Sequence, residues 1–223
     1  GSPTSGKRVE EEVKLDEAVD RFQNAVETGR IAHGYVVVGP PRGAAGDFAR
    51  RAMQLLLCTE AEKRPCGECR NCRAVKDRTH PDVLWVEPEM KSRAISIDQI
   101  RDLQRMVYQT SFGGSWKACV LAGADRMGDP AANAFLKTLE EPPKNSILFL
   151  LTESPQSLLP TILSRCQRMV VSNDQIEMPD EWRQELMAAL EDSGGASAVT
   201  ALMRELRVEK ILKAMKAQAE AEE

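Results

Sequence analysis

Short apolar runs alternate with amphipathic helical patterns through most of the chain, and this alternation limits the fold more than any other feature. Five runs are predicted as strands: 35–38, 83–86, 118–121, 147–151 and 169–171. Because most of them are apolar at every position, we expect them to be buried on both faces. Strands of this kind with helices between them predict an α/β fold, a parallel sheet covered by helices on both faces.

Four segments next to these strands carry apolar residues at helical spacing. They are a first helix that ends before Gly29, followed by residues 47–57, 97–107 and 129–141. Ser96 followed by Gln99 fits a capping box at a helix start. Asp129 before Pro130 predicts an N-cap and a first-turn proline.

The pattern changes at Ser172, beyond which only helical spacing remains. A length of 223 residues suits either one large domain or one medium domain with a small appendage. We therefore predict an α/β domain over residues 1–172 with an insertion at 58–80, and a small helical domain over 173–223.

No apolar run approaches the roughly 20 residues of a membrane-spanning helix, and the start of the chain lacks a signal-peptide core. These features predict a cytoplasmic protein without a membrane partner.

The charge balance is mildly acidic. The chain has 30 Lys and Arg against 34 Asp and Glu, a formal net charge of −4. Tight, autonomous nucleic-acid binding depends on clustered cations that neutralise phosphates. This class of function is therefore disfavoured as the chain's sole role.

Four of the six cysteines lie within fifteen positions: Cys58, Cys66, Cys69 and Cys72. Two overlapping Cys-x-x-Cys turns in a chain without a secretion signal favour a metal site over disulfides. Four thiolates suit a closed, structural zinc site. An iron–sulfur cluster, reduced thiols and a disulfide are the alternatives, although ferredoxin-type clusters take their fourth ligand downstream.

A glycine-rich turn follows the first predicted strand, where nucleotide-binding phosphate loops are found. Such loops need glycines to cradle phosphates, a Lys for the terminal phosphates and a Ser or Thr for magnesium. The turn runs from Gly39 through Gly43, but Ala45 stands at the Lys position and Gly46 at the Ser/Thr position. It is either a degenerate nucleotide site or only a tight turn between a strand and a helix.

The third predicted strand shows a matching loss. A nucleotide hydrolase of this architecture carries carboxylates there for magnesium and the attacking water. This chain has Ala122 and Gly123 at those positions. Neither residue can bind a metal ion or polarise water through a side chain.

Two long motifs carry a family resemblance. Residues 131–143, Ala-Ala-Asn-Ala-Phe-Leu-Lys-Thr-Leu-Glu-Glu-Pro-Pro, and residues 158–167, which contain Ser164-Arg165-Cys166, closely resemble segments of bacterial DNA polymerase III clamp loaders. His33-Gly34, the four cysteines and His80-Pro81-Asp82 match as well. The resemblance covers essentially residues 15–172.

The resemblance implies a RecA-like AAA+ domain with a zinc module, followed by a helical lid domain. The family's collar domain would be absent from a chain of this length. Motor subunits of the family (gamma and tau) keep the phosphate loop, whereas delta-prime subunits commonly have a degenerate one. Ala45, Gly46, Ala122 and Gly123 therefore indicate the delta-prime type, for which ATP is not expected to bind.

The resemblance also implies a role for Arg165 and a set of partners. The arginine of the Ser-Arg-Cys segment acts as an arginine finger in the ATP site of a neighbouring subunit. Implied partners are the gamma/tau and delta subunits, with the sliding clamp and primer–template DNA reached through the complex. The alternatives are a motor ATPase subunit and a zinc-containing nucleic-acid-binding protein.

Overall fold

The computed structural model describes residues 12–60, 63–109 and 116–172. Six strands are β1 (Glu12–Lys14), β2 (Gly34–Val38), β3 (Val83–Val86), β4 (Lys117–Ala122), β5 (Ser146–Thr152) and β6 (Gln167–Ser172). They form one sheet in the order β1-β6-β2-β5-β4-β3, and every pairing is parallel. The predicted parallel sheet is confirmed, with one strand more than the sequence indicated.

The helices of the described ranges are α1 (Leu15–Glu27), α2 (Ala44–Leu57), α3 (Arg70–Lys76), α4 (Ile97–Tyr108), α5 (Asp129–Glu140) and α6 (Pro160–Leu163). The capping box at α4 is confirmed: the Ser96 hydroxyl accepts a hydrogen bond from the Gln99 backbone N–H, and the Gln99 side chain accepts one from the Ser96 N–H. Helix α2 begins three residues before its predicted start at residue 47.

The prediction that Asp129 caps α5 is wrong. The Gly128 carbonyl accepts the first helical hydrogen bond, from Ala132 N–H at 2.9 Å, so Gly128 is the N-cap. Asp129 is instead the first residue of the helix and makes no side-chain cap. Its carboxylate in the first turn still favours the helix through the dipole.

Helices cover both faces of the sheet, as its fully apolar strands predicted. Every residue of β4 and β5 is buried, including Cys119. On the face covered by α1 and α2, Phe22, Tyr35, Phe48 and Phe149 form an aromatic cluster with ring centroids 5.5–6.2 Å apart. On the other face, α4 and α5 bury apolar residues such as Ile100, Leu103, Phe135 and Leu139. Burial of this extent is the main source of the domain's stability.

The chain divides into two units, Gly1–Asp174 and Gln175–Glu223. The predicted helical lid domain, 173–223, lies outside the described residues and stays a prediction. Among the described helices, none is both long enough and apolar enough to cross a membrane.

Candidate functional sites

The glycine-rich turn links β2 to α2, with Gly43 as the N-cap of the helix. Ala45, at the position of a phosphate-binding lysine, is completely buried in the core that includes Phe48. A side chain starting from this position meets packed apolar groups rather than solvent. The turn therefore joins a strand to a helix, as a phosphate loop does, but has no cation at position 45.

The backbone of the turn is packed closely against its surroundings. A Cβ on Gly46 would come closer than 3.0 Å to the Pro41 carbonyl oxygen, a separation that real Cβ atoms essentially never show. Gly39 has a φ of +153°, and a Cβ there would lie 2.6 Å from the Val171 carbonyl oxygen. A Ser or Thr at position 46 would thus require the turn to move.

The carboxyl end of β4 lies in a cleft of about 630 Å³ beside this turn. Ala122 and Gly123 line the cleft, together with Asp125 from the short 3₁₀ turn that follows β4. The buried Thr152 hydroxyl donates a 2.6 Å hydrogen bond to the Asp125 carboxylate and accepts one from Ser154 N–H. Thr152 is the last residue of β5, so these two hydrogen bonds cap the end of that strand. The Asp125 carboxylate, two residues after Gly123, is thereby already hydrogen-bonded within the chain.

The four predicted cysteines converge at the end of α2 and the start of α3. The Sγ atoms of Cys58, Cys66, Cys69 and Cys72 all lie within 4.8 Å of one another. A metal ion with four sulfur ligands at about 2.3 Å would hold these sulfurs about 3.8 Å apart. The donor set and its spacing therefore fit a tetrahedral metal ion.

Backbone amides point at the sulfurs of both Cys-x-x-Cys turns. Cys69 N–H donates to Cys66 Sγ at 3.2 Å, and Cys72 N–H donates to Cys69 Sγ at 3.4 Å. Such bonds stabilise thiolates, the form that binds metal. Burial alone raises the pKa of Cys69, but hydrogen bonds from Thr59 and Cys72 lower it to about 6. For Cys72, burial raises the pKa of the thiol above its ordinary value.

Two side-chain amides fasten this cluster to α2. Gln54 Nε2 donates to the Cys72 carbonyl at 2.9 Å, and Asn71 Nδ2 donates to the Leu57 carbonyl at 2.8 Å. The Gln54 bond is buried. The insertion is therefore attached to α2 by these two hydrogen bonds as well as by the packing of the four cysteines.

Arg165 lies in the turn between α6 and β6. The preceding helix, α6, ends at Leu163. The Arg165 guanidinium donates to Glu140 Oε1 at 2.9 Å and to the Thr161 carbonyl at 3.0 Å. The pairing with Glu140 joins residues 25 positions apart and was not predicted, because spacing along the chain carries no signal for it.

Arg165 and the glycine-rich turn lie at opposite ends of the sheet. A Cβ on Gly34, at the start of β2, would lie 2.9 Å from Cys166 Sγ and 3.8 Å from the Arg165 carbonyl oxygen. Gly39 follows the other end of β2, a five-residue strand about 13 Å long. Arg165 lies two residues before β6, an interior strand of the sheet, and is therefore at the amino end of the sheet.

Comparisons with known proteins agree with the fold and motifs. The delta-prime subunit of DNA polymerase III from Pseudomonas aeruginosa is 43% identical over 136 residues, 60% of this chain and 42% of that protein. The delta-prime subunit from Bacillus subtilis is 38% identical over 146 residues, 66% of this chain and 44% of that protein. The chain thus spans less than half the length of these two relatives.

A solved structure shows the same fold. It is a DNA polymerase III gamma subunit-related protein from Thermotoga maritima, with 25% identity and a TM-score of 0.52 over 89% of this chain and 57% of that one. This similarity, with the parallel sheet, confirms the AAA+ α/β fold. The family described as DNA polymerase III, delta subunit, matches residues 14–175. The chain therefore belongs to the DNA polymerase III delta-subunit family, and its relatives identify it as the delta-prime type.

Proposed function

We propose that this chain is part of a clamp-loader subunit that does not hydrolyse ATP itself and that supplies Arg165 to the ATP site of a neighbour. In this role it helps to load the sliding clamp onto primed DNA. Its partners would be gamma/tau and delta subunits, with the clamp and primer–template DNA reached through the assembled complex. The names of the delta-prime relatives and the AAA+ fold support this proposal.

The observation that carries the proposal is the buried Ala45. Phosphate loops need a lysine whose charge reaches the terminal phosphates. Ala45 is completely buried, and the neighbouring Gly46 is packed against the Pro41 carbonyl. The turn lacks the lysine charge that a bound nucleotide would use, and Gly46 leaves no room for a Ser or Thr side chain unless the turn moves.

Arg165 would act where negative charge develops on a transferred phosphoryl group. A guanidinium is always charged and can engage phosphate oxygens through two parallel hydrogen bonds. Arginines supplied in trans can raise the rate by about 10³–10⁵. The side chain is 36% exposed at the amino end of the sheet, away from the chain's own glycine-rich turn.

We also propose that the four cysteines bind a structural zinc ion. When bound, zinc would cross-link the insertion through four sulfurs, with no open position for catalysis. Gln54 and Asn71 then hold this cross-linked unit against the end of α2. The chain's own contribution is a set of thiolates oriented by the backbone amides of Cys69 and Cys72.

Two measurements on the full-length protein test the proposed function. ATP titration of the isolated subunit should show neither micromolar binding nor turnover that survives repurification. Arg165→Ala should lower the clamp- and DNA-stimulated ATPase of the reconstituted complex while assembly is preserved. ATP turnover by the isolated subunit would instead indicate a motor subunit. Tight DNA binding by the isolated subunit would favour the nucleic-acid-binding alternative.

A further inference from the structure

The guanidinium of Arg165 is held by contacts to two different segments. One nitrogen, Nη1, donates to the Thr161 carbonyl at 3.0 Å and to Ser164 Oγ at 3.4 Å, both within its own segment. The other terminal nitrogen, Nη2, donates to Glu140 Oε1 at 2.9 Å. Glu140 is therefore the contact that fixes the guanidinium relative to the rest of the domain.

Glu140 is itself well anchored, because the end of α5 is held on several sides. His33 Nε2 lies 3.2 Å from the Leu139 carbonyl, and the Tyr108 hydroxyl donates to the Glu141 carbonyl at 2.9 Å. The Leu139 side chain packs so closely on Gly34 that a Cβ there would lie 3.1 Å from it. The residues on both sides of Glu140 are thus held by contacts to α4 and to the start of β2.

The position of Glu140 is unfavourable for the helix alone. It is the last residue of α5, where the helix dipole disfavours a negative charge. The Arg165 guanidinium offsets this by placing a positive charge beside the carboxylate. A carboxylate at this position is consequently better explained by its arginine partner than by helix stability.

The ion pair between Arg165 and Glu140 is also exposed enough for another anion to replace Glu140 as the arginine's partner. The side chains of Arg165 and Glu140 are 36% and 50% exposed, and exposed ion pairs are weak. A phosphate group brought by a neighbour could therefore engage the guanidinium without a large cost. The contact orients Arg165 rather than sequestering it.

We infer that Glu140 is a positioning residue for the trans action of Arg165. It favours one orientation of the guanidinium before a neighbouring phosphate binds, which reduces the side-chain entropy lost at that step. This inference rests on the proposed function of Arg165. It adds a residue, on a different helix, on which that function depends.

The test uses reconstituted complexes that contain the full-length subunit, with ATP, clamp and primer–template DNA. The Arg165-dependent rate is defined as the ATPase rate of the wild-type complex minus that of the Arg165→Ala complex. Glu140→Ala should reduce this rate about 2- to 5-fold, the upper value corresponding to about 1 kcal/mol, with the KM for ATP unchanged. Glu140→Gln should have an intermediate effect, since it keeps an oxygen acceptor and loses the charge.

The control is Glu141→Ala, which removes a neighbouring carboxylate that is not a partner of Arg165 in the described part of the chain. It should leave the Arg165-dependent rate unchanged, and Glu140→Ala should have no further effect in an Arg165→Ala background. An unchanged or raised rate with Glu140→Ala would overturn the inference alone. If Arg165→Ala itself has no effect, the proposed function fails and the inference fails with it. Should Glu140→Ala not fold, Glu140→Gln decides by the same criteria.

Discussion

The Pro41 carbonyl oxygen lies against Gly46, within 3.0 Å of where a side chain on that residue would begin. Phosphate loops present backbone N–H groups to the ligand and place a hydroxyl at this position. Here a carbonyl oxygen covers the position instead. The backbone of the turn thus packs in a way that leaves no room for a side chain at position 46 unless the turn moves.

Replacing Gly46 by Ser should therefore destabilise the domain. The added Cβ meets backbone, which cannot move aside as a flexible side chain would, and overpacking of this kind costs about 1–3 kcal/mol. Urea denaturation should show the loss as a lower midpoint at an unchanged m-value. Asp47→Ala is the matched control, since its exposed ion pair with Arg50 is worth at most about 1 kcal/mol. A Gly46→Ser variant as stable as wild type would show that the turn is not closed.

The cysteine cluster should contain one zinc ion per chain, and Cys69→Ser should lower this content sharply. Structural zinc sites have apparent binding energies of about 10–16 kcal/mol in small peptides, so residues 58–80 should become sensitive to proteases. Elemental analysis and limited proteolysis measure the two effects. Cys166 lies outside the cluster, so the Cys166→Ala variant should bind as much zinc as the wild-type protein. Freshly purified, unoxidised wild-type protein without zinc would contradict the prediction.

His80 should make the stability of the domain depend on pH. Burial lowers the pKa of this histidine below its ordinary value of 6.5, and the nearby Asp82 carboxylate opposes the shift. Below pH 6.5 the unfolded chain then binds a proton that the folded chain does not, so stability falls as the pH falls. One proton gives a slope of at most about 1.4 kcal/mol per pH unit.

His80→Asn isolates this effect. In the native structure His80 Nδ1 accepts a hydrogen bond from the Asp82 N–H at 3.1 Å, and an Asn side-chain oxygen can accept a similar bond without titrating. Urea unfolding at pH 7.5 and 5.5 should show wild type losing more stability than His80→Asn. Any cysteine that titrates between these pH values changes the stability of wild type and of His80→Asn by the same amount, so it cancels in the comparison. Equal losses in the two proteins would show that His80 has an ordinary pKa.

The sequence predicted the features that depend on local spacing and missed those formed by distant residues. The buried strands were recognisable because parallel strands are apolar at every position. Strand β1 was missed because it has three residues, of which only Val13 is buried. The four cysteines could be grouped because they are close along the chain.

The hydrogen bond from Thr152 to Asp125 and the pair of Glu140 with Arg165 could not be predicted in this way. They join residues 27 and 25 positions apart, on segments that only the folded sheet brings together. Their sequence signals are single polar residues at the ends of helices and strands. Such residues have many local explanations, so only the structure identifies their partners.

The last prediction separates charge from geometry at Arg165. Lysine keeps the positive charge, but its single ammonium cannot reproduce a planar group that contacts Glu140 through one nitrogen and Thr161 through another. We therefore expect Arg165→Lys to recover only a small part of the ATPase rate lost with Arg165→Ala. The loss in the whole complex should be partial, because other ATP sites would keep their own arginines. Steady-state ATPase of reconstituted complexes measures this, with thermal unfolding and gel filtration to show that the variants fold and assemble. A wild-type rate with lysine would mean that charge alone suffices, and that the orientation of the guanidinium has no part in the reaction.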